Sequence, residues 1–516
     1  MRKKTTWFLV LSFLCLAPVC ACAGKGGAPE KETASKDLYK GLPFDMPMVS
    51  DPAIPSYRVN ILDFGGVPDG ITLNTKAFKD AIEHLSQKGG GHLDVPAGMY
   101  LTGPITLLSN VDLHLEKNAL VIFDPDPELY PIISTNFEGL DMRRCTSPIN
   151  ATGQKNISIT GEGVFDGNGD SWRELKKNNA PEKLWKRRIS SGEGVVSDDK
   201  KVWFPDEGYK KARVTGGTFN NPDASLDENE IKRFLRPVLV SIRECDGVLL
   251  EGCTFQNSPA WNIHPLFCKN LVIRSINVRN PAWSTNGDGI DIDACENVIL
   301  TDSKFDVGDD AICIKSGKDA DGRRHAKPCK NLIIDGCMVY SGHGGFVVGS
   351  EMSGGVQNIK VSNCDFMGTD VGLRFKSTRG RGGVVRDIWI ENIQMKDIIT
   401  NAVIFNLYYA GKSVSEQNSE GGVNAKPAIP AVDETTPCFR DIHVRNVRCN
   451  GAEKAILING LPEMPVSGID FTDCTIKSRT GVEIHYAKDI LLERVDVVIP
   501  SGEKIVQSDV ENLVVR

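Results

Sequence analysis

Short stretches in which apolar and polar residues alternate return many times along this chain. VLLEGCTF begins at Val248, LVIRSINV at Leu271, VILTDSKF at Val298 and LIIDGCMV at Leu332. IKVSNCDF at Ile359, IWIENIQM at Ile388, IHVRNVRC at Ile442, IDFTDCTI at Ile469 and ILLERVDV at Ile490 continue the series. From about Asn156 onward each repeat reads as a strand, an Asn/Asp/Gly-rich turn and another strand. Successive starts are mostly twenty-odd residues apart. The interval from Ile388 to Ile442 is about twice as long. It holds either two repeats or one repeat with an insertion near 411–436. A strand presents alternate side chains to opposite faces, so each repeat has one apolar side that it cannot bury alone. Stacking the repeats buries that side continuously, and a period of this length without helical spacing predicts a solenoid of strands. The expected fold is all-β, a right-handed single-stranded parallel β-helix.

Two departures from the pattern matter. Asn74-Thr75 opens a helical stretch with Ala77, Phe78, Ala81, Ile82 and Leu85 on one face. It is placed to cap the N-terminal end of the β-helix, where core and strand edges would otherwise be exposed. Short strands separated by Gly and Pro turns follow in 89–107. Residues 172–236 then interrupt the repeat with a polar stretch that carries Trp185, Trp203 and Phe204. This is read as an inserted loop along the side of the β-helix, either a surface excursion or a wall of a cleft.

Composition adds bounds. A chain of 516 residues has room for more than one domain, and its net charge of -7 gives no argument for nucleic-acid binding. Arg2-Lys3-Lys4 followed by the apolar run Trp7 to Val19 reads as a signal peptide over 1–22. Val19-Cys20-Ala21-Cys22 resembles a bacterial lipobox in which Cys22 is lipidated. That places the protein outside the cytoplasm, in the periplasm or on the outer membrane as a lipoprotein. Its only membrane contact is then the lipid at Cys22. Residues 23–55 read as a linker and 56–516 as the β-helix domain. Of the fifteen cysteines, Cys253, Cys337, Cys364 and Cys474 occupy one place in the repeat. Stacked small core residues explain that recurrence better than disulfides do. No CxxC pair suggests zinc.

Candidate chemistry concentrates in Asn286–Ser316. Writing NGDGIDID above GDDAICIK aligns Ile290 with Ile312 and Ile292 with Ile314. GHGGFVVG from Gly342 and VGLRFK from Val371 extend both apolar columns. The opposite face then carries Asp291, Asp293, Lys315, Arg374 and Lys376, with Asp288, Asp309, Asp310 and His343 at the strand starts. Adjacent strands lie about 4.8 Å apart, so four coils bring three carboxylates, an imidazole and two cations together. Hydrolysis of a glycosidic bond needs one protonated carboxyl and one carboxylate. Crowded carboxylates do not all ionise, and nearby cations suit an acidic sugar. Asp, Asn and Gly also serve as ordinary turn residues or calcium ligands in such folds. Asn262 and His264 lie two apart on a neighbouring strand and either line the same cleft or belong to an interior ladder.

NGDG at 286–289, GDD at 308–310, GHG at 342–344 and RFK at 374–376 resemble, in order and spacing, the four signature motifs of the polygalacturonases, glycoside hydrolase family 28. The resemblance runs from about Tyr57 to the C-terminus. It implies a right-handed parallel β-helix and metal-free, cofactor-free hydrolysis of α-1,4-galacturonosyl links with inversion. On that pattern Asp309 is the general acid, Asp288 and Asp310 hold and activate water, and His343 tunes the acid. Arg374 and Lys376 bind the galacturonate carboxylate, together with a tyrosine that fits Tyr409 best and Tyr408 second. NGD in place of the usual NTD, and RFK in place of RIK, put the substrate subtype in question more than the reaction. WNIHP at 261–265, IKSGKDADGRR at 314–324 and GSEMSGG at 349–355 resemble bacterial exo-acting members. That likeness offers Arg323 and Arg324 for a carboxylate at the chain end, if they are not simply a solvated loop. The implied partner is a pectic polysaccharide or oligogalacturonide. A rhamnogalacturonan or xylogalacturonan hydrolase is the close alternative; a calcium-dependent pectate lyase and a non-catalytic glycan-binding protein are the more distant ones.

Overall fold

Successive repeats pair strand on strand in parallel, and the pairing follows the sequence alignment residue for residue. In this computed structural model, which describes residues 37–217, 221–409 and 429–516, Val248 lies beside Leu271, then Val298, Leu332 and Ile359. The column continues through Ile388, Ile442, Ile469 and Ile490. All nine repeat starts therefore share one register. Thirty-five strands join in this way, and the fold is a parallel β-helix. The direct pairing of Ile388 with Ile442 makes the long interval one coil with an insertion. Part of that insertion, 410–428, lies outside the described residues.

Each coil closes through turns that need a left-handed backbone. Asn270, Asn297, Asn331 and Asn358 occupy one such place with φ of 56°, 60°, 61° and 58°. Asparagine tolerates this region better than most residues. Here the side-chain amides also bond coil to coil: Asn297 Nδ2 donates to Asn270 Oδ1 at 3.1 Å, Asn331 to Asn297 at 3.1 Å and Asn358 to Asn331 at 3.0 Å. Inside, apolar residues stack in rows, as where the Phe375 and Phe405 rings lie parallel 4.5 Å apart. The twelve cysteines among the described residues are all free, and Cys253, Cys337, Cys364 and Cys474 are buried in the interior.

The helix Thr75–Gln87 covers the N-terminal end and buries Ala77, Phe78, Ala81, Ile82 and Leu85 against the first coils. Asn74 precedes it but does not cap it with its side chain. Its amide is spent on the approaching loop instead, donating to Val67, Thr72 and Leu101 carbonyls and accepting from Val67 N.

Other boundaries differ from the expectation. The compact unit begins at Pro43, and residues 37–42 belong to a separate unit. Asp51, assigned to the linker, pairs with Arg274 at 2.6 Å, and Phe44 packs on Trp389 with ring centres 5.7 Å apart. Residues 172–236 are more than a loop. They form a small sheet of Leu175–Lys176, Val195–Val196 and Val202–Phe204 and two helices, Glu182–Ser190 and Glu207–Val214. This insertion builds an apolar cluster around Trp172, Phe204, Tyr209 and Phe234, completed by Tyr130 and Cys145 from outside it. It packs against an antiparallel hairpin, Ile132–Phe137 with Leu140–Cys145, that the repeat pattern did not announce.

Candidate active site

The strand Ile290–Asp293 pairs with Asp310–Lys315, which pairs with Gly344–Val348, which pairs with Val371–Lys376. Ile290, Ile312, Phe346 and Leu373 point into the core, so the residues between them point out of the β-helix. The loops entering these strands then meet on one surface. Asp288, Asp309 and Asp310 each offer an oxygen within 4.8 Å of the others.

The three carboxylates are held differently. Asp310 is buried, with Oδ1 3.0 Å from Arg374 Nη1 and Oδ2 2.7 Å from Lys376 Nζ. Burial alone would raise its pKa, but Lys376 and Arg374 outweigh burial and hold it well below the usual carboxylate range. Asp288 is also buried, yet its Oδ1 has no partner. Burial, reinforced by Asp309 and Asp291, pushes it well above that range and favours its protonated form. Asp309 is the more exposed member. Its Oδ1 accepts from the Asp310 backbone N–H at 2.9 Å and meets His343 Nδ1 at 3.0 Å. The hydrogen bond to Asp309 raises the His343 pKa, and Asp370 stands 3.8 Å from its other ring nitrogen. Tyr409 faces both cations, with Lys376 Nζ 4.8 Å and Arg374 Cζ 6.0 Å from its ring centre. Tyr408 instead lies buried under Arg379.

A buried network backs the site. Lys315 Nζ lies 2.8 Å from Glu351 and 3.6 Å from Asp291, and sits 4.6 Å from the Trp261 ring centre. Burial and the neighbouring carboxylates push the Asp291 pKa well up, and neither of its oxygens has a hydrogen-bond partner. Glu351 goes the other way: Lys315 outweighs its burial and keeps it ionised.

The hairpin walls one side. Its tip meets the loops flanking the carboxylate cluster, where Asn286 Nδ2 donates to Glu138 at 3.4 Å and Lys318 N to the Gly139 carbonyl at 3.0 Å. Phe137 stacks on Trp261 at 5.1 Å. From the insertion, Arg236 donates to the Pro259 and Thr285 carbonyls and to Asn286 Oδ1, fixing the loop that carries Asp288.

A model of the glycosyl hydrolases family 28 matches residues 187–491. The chain belongs to family 28. It is 30% identical over 431 residues to a probable polygalacturonase of Vitis vinifera, covering 82% of this chain and 74% of that protein. It is 30% identical over 414 residues to an exo-poly-alpha-D-galacturonosidase of Dickeya chrysanthemi, covering 78% and 64% of the two chains. Among solved structures it is similar to a hyperthermoactive exopolygalacturonase from Thermotoga maritima, with a TM-score of 0.71, 32% identity and coverage of 88% and 95%. The family 28 exopolygalacturonase of Yersinia enterocolitica gives a TM-score of 0.70 at 25% identity, with coverage of 89% and 78%. The protein is thus a glycoside hydrolase, and the carboxylate cluster stands where the four family 28 motifs converge.

Not every residue singled out in the sequence reaches that cluster. Asn262 is fully buried; its Nδ2 donates to the Phe255 carbonyl and Asn280 Oδ1, and its Oδ1 has no hydrogen-bond partner, so it stands in the interior and not on the cleft surface. Arg323 donates to the Gly380 and Arg381 carbonyls, and Arg324 pairs with Asp141 and Asp321 at 2.7 and 2.6 Å. Both brace the short helix Asp319–His325 against its surroundings. Trp261 and Glu351 lie in WNIHP and GSEMSGG, which the sequence offered only as segments like those of exo-acting members, and Arg381 lies in no such segment. Only their neighbours in space reveal them.

Proposed function

We propose that this family 28 enzyme hydrolyses α-1,4-galacturonosyl links of polygalacturonate from a chain end by inverting general acid–base catalysis. The observation that carries the reading is the unequal state of the carboxylates. Asp310 is paired with Arg374 and Lys376, which lower its pKa; Asp288 is buried with Oδ1 unpartnered and its pKa raised; and Asp309 is presented to the cleft beside His343. The lowered pKa marks Asp310 as the base, and exposure beside His343 marks Asp309 as the group that can reach a leaving oxygen. In this reading Asp309 protonates the leaving oxygen, and Asp288 and Asp310 hold the attacking water, whose proton passes to Asp310. Arg374, Lys376 and Tyr409 receive the sugar carboxylate. The names of the relatives, three of them exo-acting, support the substrate and the mode. The hairpin that crosses the face beside the catalytic loops supports a cleft closed at one end.

Asp288 as the acid is a second reading, favoured by its raised pKa; its 3% exposure weighs against direct contact with a leaving oxygen. Substrates with an activated leaving group separate the two, because only the acid variant regains rate on them. The nearest carboxylate oxygens, all within 4.8 Å, are closer than the roughly 6.5–9.5 Å usual for an inverting pair. The first anomer formed, followed by NMR, decides: β supports inversion, and α makes a carboxylate the nucleophile.

The experiment that tests the whole reading is incubation with polygalacturonate in EDTA, following reducing ends and product size. Saturated mono- or digalacturonate from the start is expected. A ladder of oligomers would overturn exo action, and no product would redirect the enzyme to rhamnogalacturonan or xylogalacturonan. Export and lipidation at Cys22 belong to the same proposal. Residues 1–36 lie outside the described residues, and Cys22→Ser is expected to release the protein from membranes.

A further inference from the structure

Behind the hairpin, on the side away from the catalytic carboxylates, lies a second polar cavity of about 160 Å³. Its roof is the strand Ile132–Phe137. Its floor is the outward face of Ile149–Thr152 and Val240–Arg243, which pair with Asn150 beside Ser241 and Thr152 beside Arg243. The next coil is Ile263–Leu266, and the one after it is Ile290–Asp293. The floor is therefore two coils, roughly 10 Å, from the strand that follows Asp288.

Two polar atoms here are buried without a partner, Arg243 Nε and Asn136 Oδ1. Asn136 is 7% exposed, and its Nδ2 is already given to Asp141 at 3.0 Å. Arg243 spends Nη1 on the Ser134 carbonyl at 3.2 Å, and among the described residues no carboxylate lies within ion-pair distance of it. Buried polar groups left unsatisfied cost about 1–3 kcal/mol each, and a cluster of them in a cavity points to something that fills it. The missing partner must accept from a guanidinium and donate to an amide oxygen. A hydroxy acid does both, through its carboxylate and a hydroxyl. Pockets for drug-sized ligands run roughly 300–1,000 Å³, so a cavity of this size takes a single sugar ring at most.

We propose that this cavity is a non-catalytic site for one monomeric hexuronate, its carboxylate on Arg243 and a ring hydroxyl on Asn136. The choice of hexuronate rests on the substrate class proposed above. The site itself rests on the cavity and its two unpartnered atoms.

The test is titration of the full-length enzyme with monomeric galacturonate, together with crystals soaked in the same compound and, separately, in galactose. Two bound galacturonates are expected in the wild type, one of them under the hairpin with its carboxylate on Arg243, and no galactose there. Arg243→Gln should weaken that site at least about tenfold, the loss of one charge-assisted hydrogen bond, with turnover unchanged. Arg243 also ties down the hairpin, so Ser241→Asp serves as a second variant that repels the carboxylate without removing the tie. Ordered water alone in the cavity, binding at crystal concentration only, or equal occupancy by galactose would overturn the proposal. An enzyme inert on polygalacturonate that still binds galacturonate here would sink the substrate reading and leave this site standing.

Discussion

Two faces of the same coils obey different rules. From Val248 to Ile490 the first face repeats without a break, each start in register with the next, and its strands there carry no buried polar side-chain atom without a hydrogen-bond partner; Ser158 Oγ, one coil earlier on Lys155–Gly161, is an exception. The face that runs through Asp288, Asp310, Gly344 and Arg374 has the same register and the same apolar columns beneath it. On and around its outer side, however, lie Asp288 Oδ1, both Asp291 oxygens and Arg381 Nε, all buried and without a hydrogen-bond partner. A solenoid divides its labour by face: one face supplies stability through repetition, and the other spends some of it on groups that want a substrate.

Substitutions on the two faces should therefore fail in opposite ways. Asp309→Asn keeps the shape and the acceptor for Asp310 N–H, and should lower kcat about 10²- to 10⁴-fold, the usual worth of a general acid, with the unfolding midpoint nearly unchanged. A variant that keeps more than a tenth of the rate would remove Asp309 from the acid role. Leu332→Ala, fully buried on the regular face, should do the reverse. It should cost roughly 2–5 kcal/mol of stability in denaturant unfolding, while kcat per folded molecule holds.

The same contrast explains what could be read from the sequence. The regular face was legible because its period is written in Val, Ile and Leu at every coil, and the pairing of Ile388 with Ile442 needed only the structure to choose between one coil and two. Asp288, Asp309, Asp310, His343, Arg374 and Lys376 were legible because they ride on that period. The hairpin 132–145 and the core of the insertion were not. Their contacts, such as Phe137 on Trp261 and Tyr130 on Trp172, join residues far apart in sequence with no repeat to announce them. Arg323 and Arg324 show the limit from the other side: a charge is visible in the sequence, but whether it faces a ligand or a backbone carbonyl is a tertiary fact.

Lys376 sharpens the comparison within the site. It holds Asp310 Oδ2 at 2.7 Å, so in the proposed mechanism it tunes the base as well as meeting the substrate. With Lys376→Met, the KM for galacturonate polymers should rise. The acid limb of the kcat/KM profile should also move to higher pH, because Asp310 loses the charge that most lowers its pKa. An acid limb that stays in place would confine Lys376 to binding.

His343 should matter less. Its hydrogen bond to Asp309 raises its pKa above the ordinary value of about 6.5. The bonded, protonated form contributes stability that is fully present below that ordinary value and is lost as pH rises through the raised one. The alkaline limb of the rate profile should follow the same group. His343→Gln should lower kcat roughly tenfold, at the low end for a group that assists proton transfer, and should flatten that limb. A variant with an unshifted alkaline limb would assign the limb to another residue.

The smallest expected effect is none at all. Three carboxylates within 4.8 Å resemble a divalent-cation site, and a calcium-dependent lyase would use one. The coordination already present argues otherwise. Arg374 and Lys376 engage both oxygens of Asp310, and Asp309 Oδ1 is shared between His343 and the Asp310 backbone N–H. Asp288 is driven toward its neutral form, which is a poor ligand for a hard cation. EDTA should leave the rate of reducing-end release unchanged, and added calcium should restore nothing. Activity that vanishes in EDTA and returns with calcium, together with new absorbance in the enoate band, would mean that this face abstracts a proton instead of activating water. The division between the two faces would then stand, with a different reaction on the second.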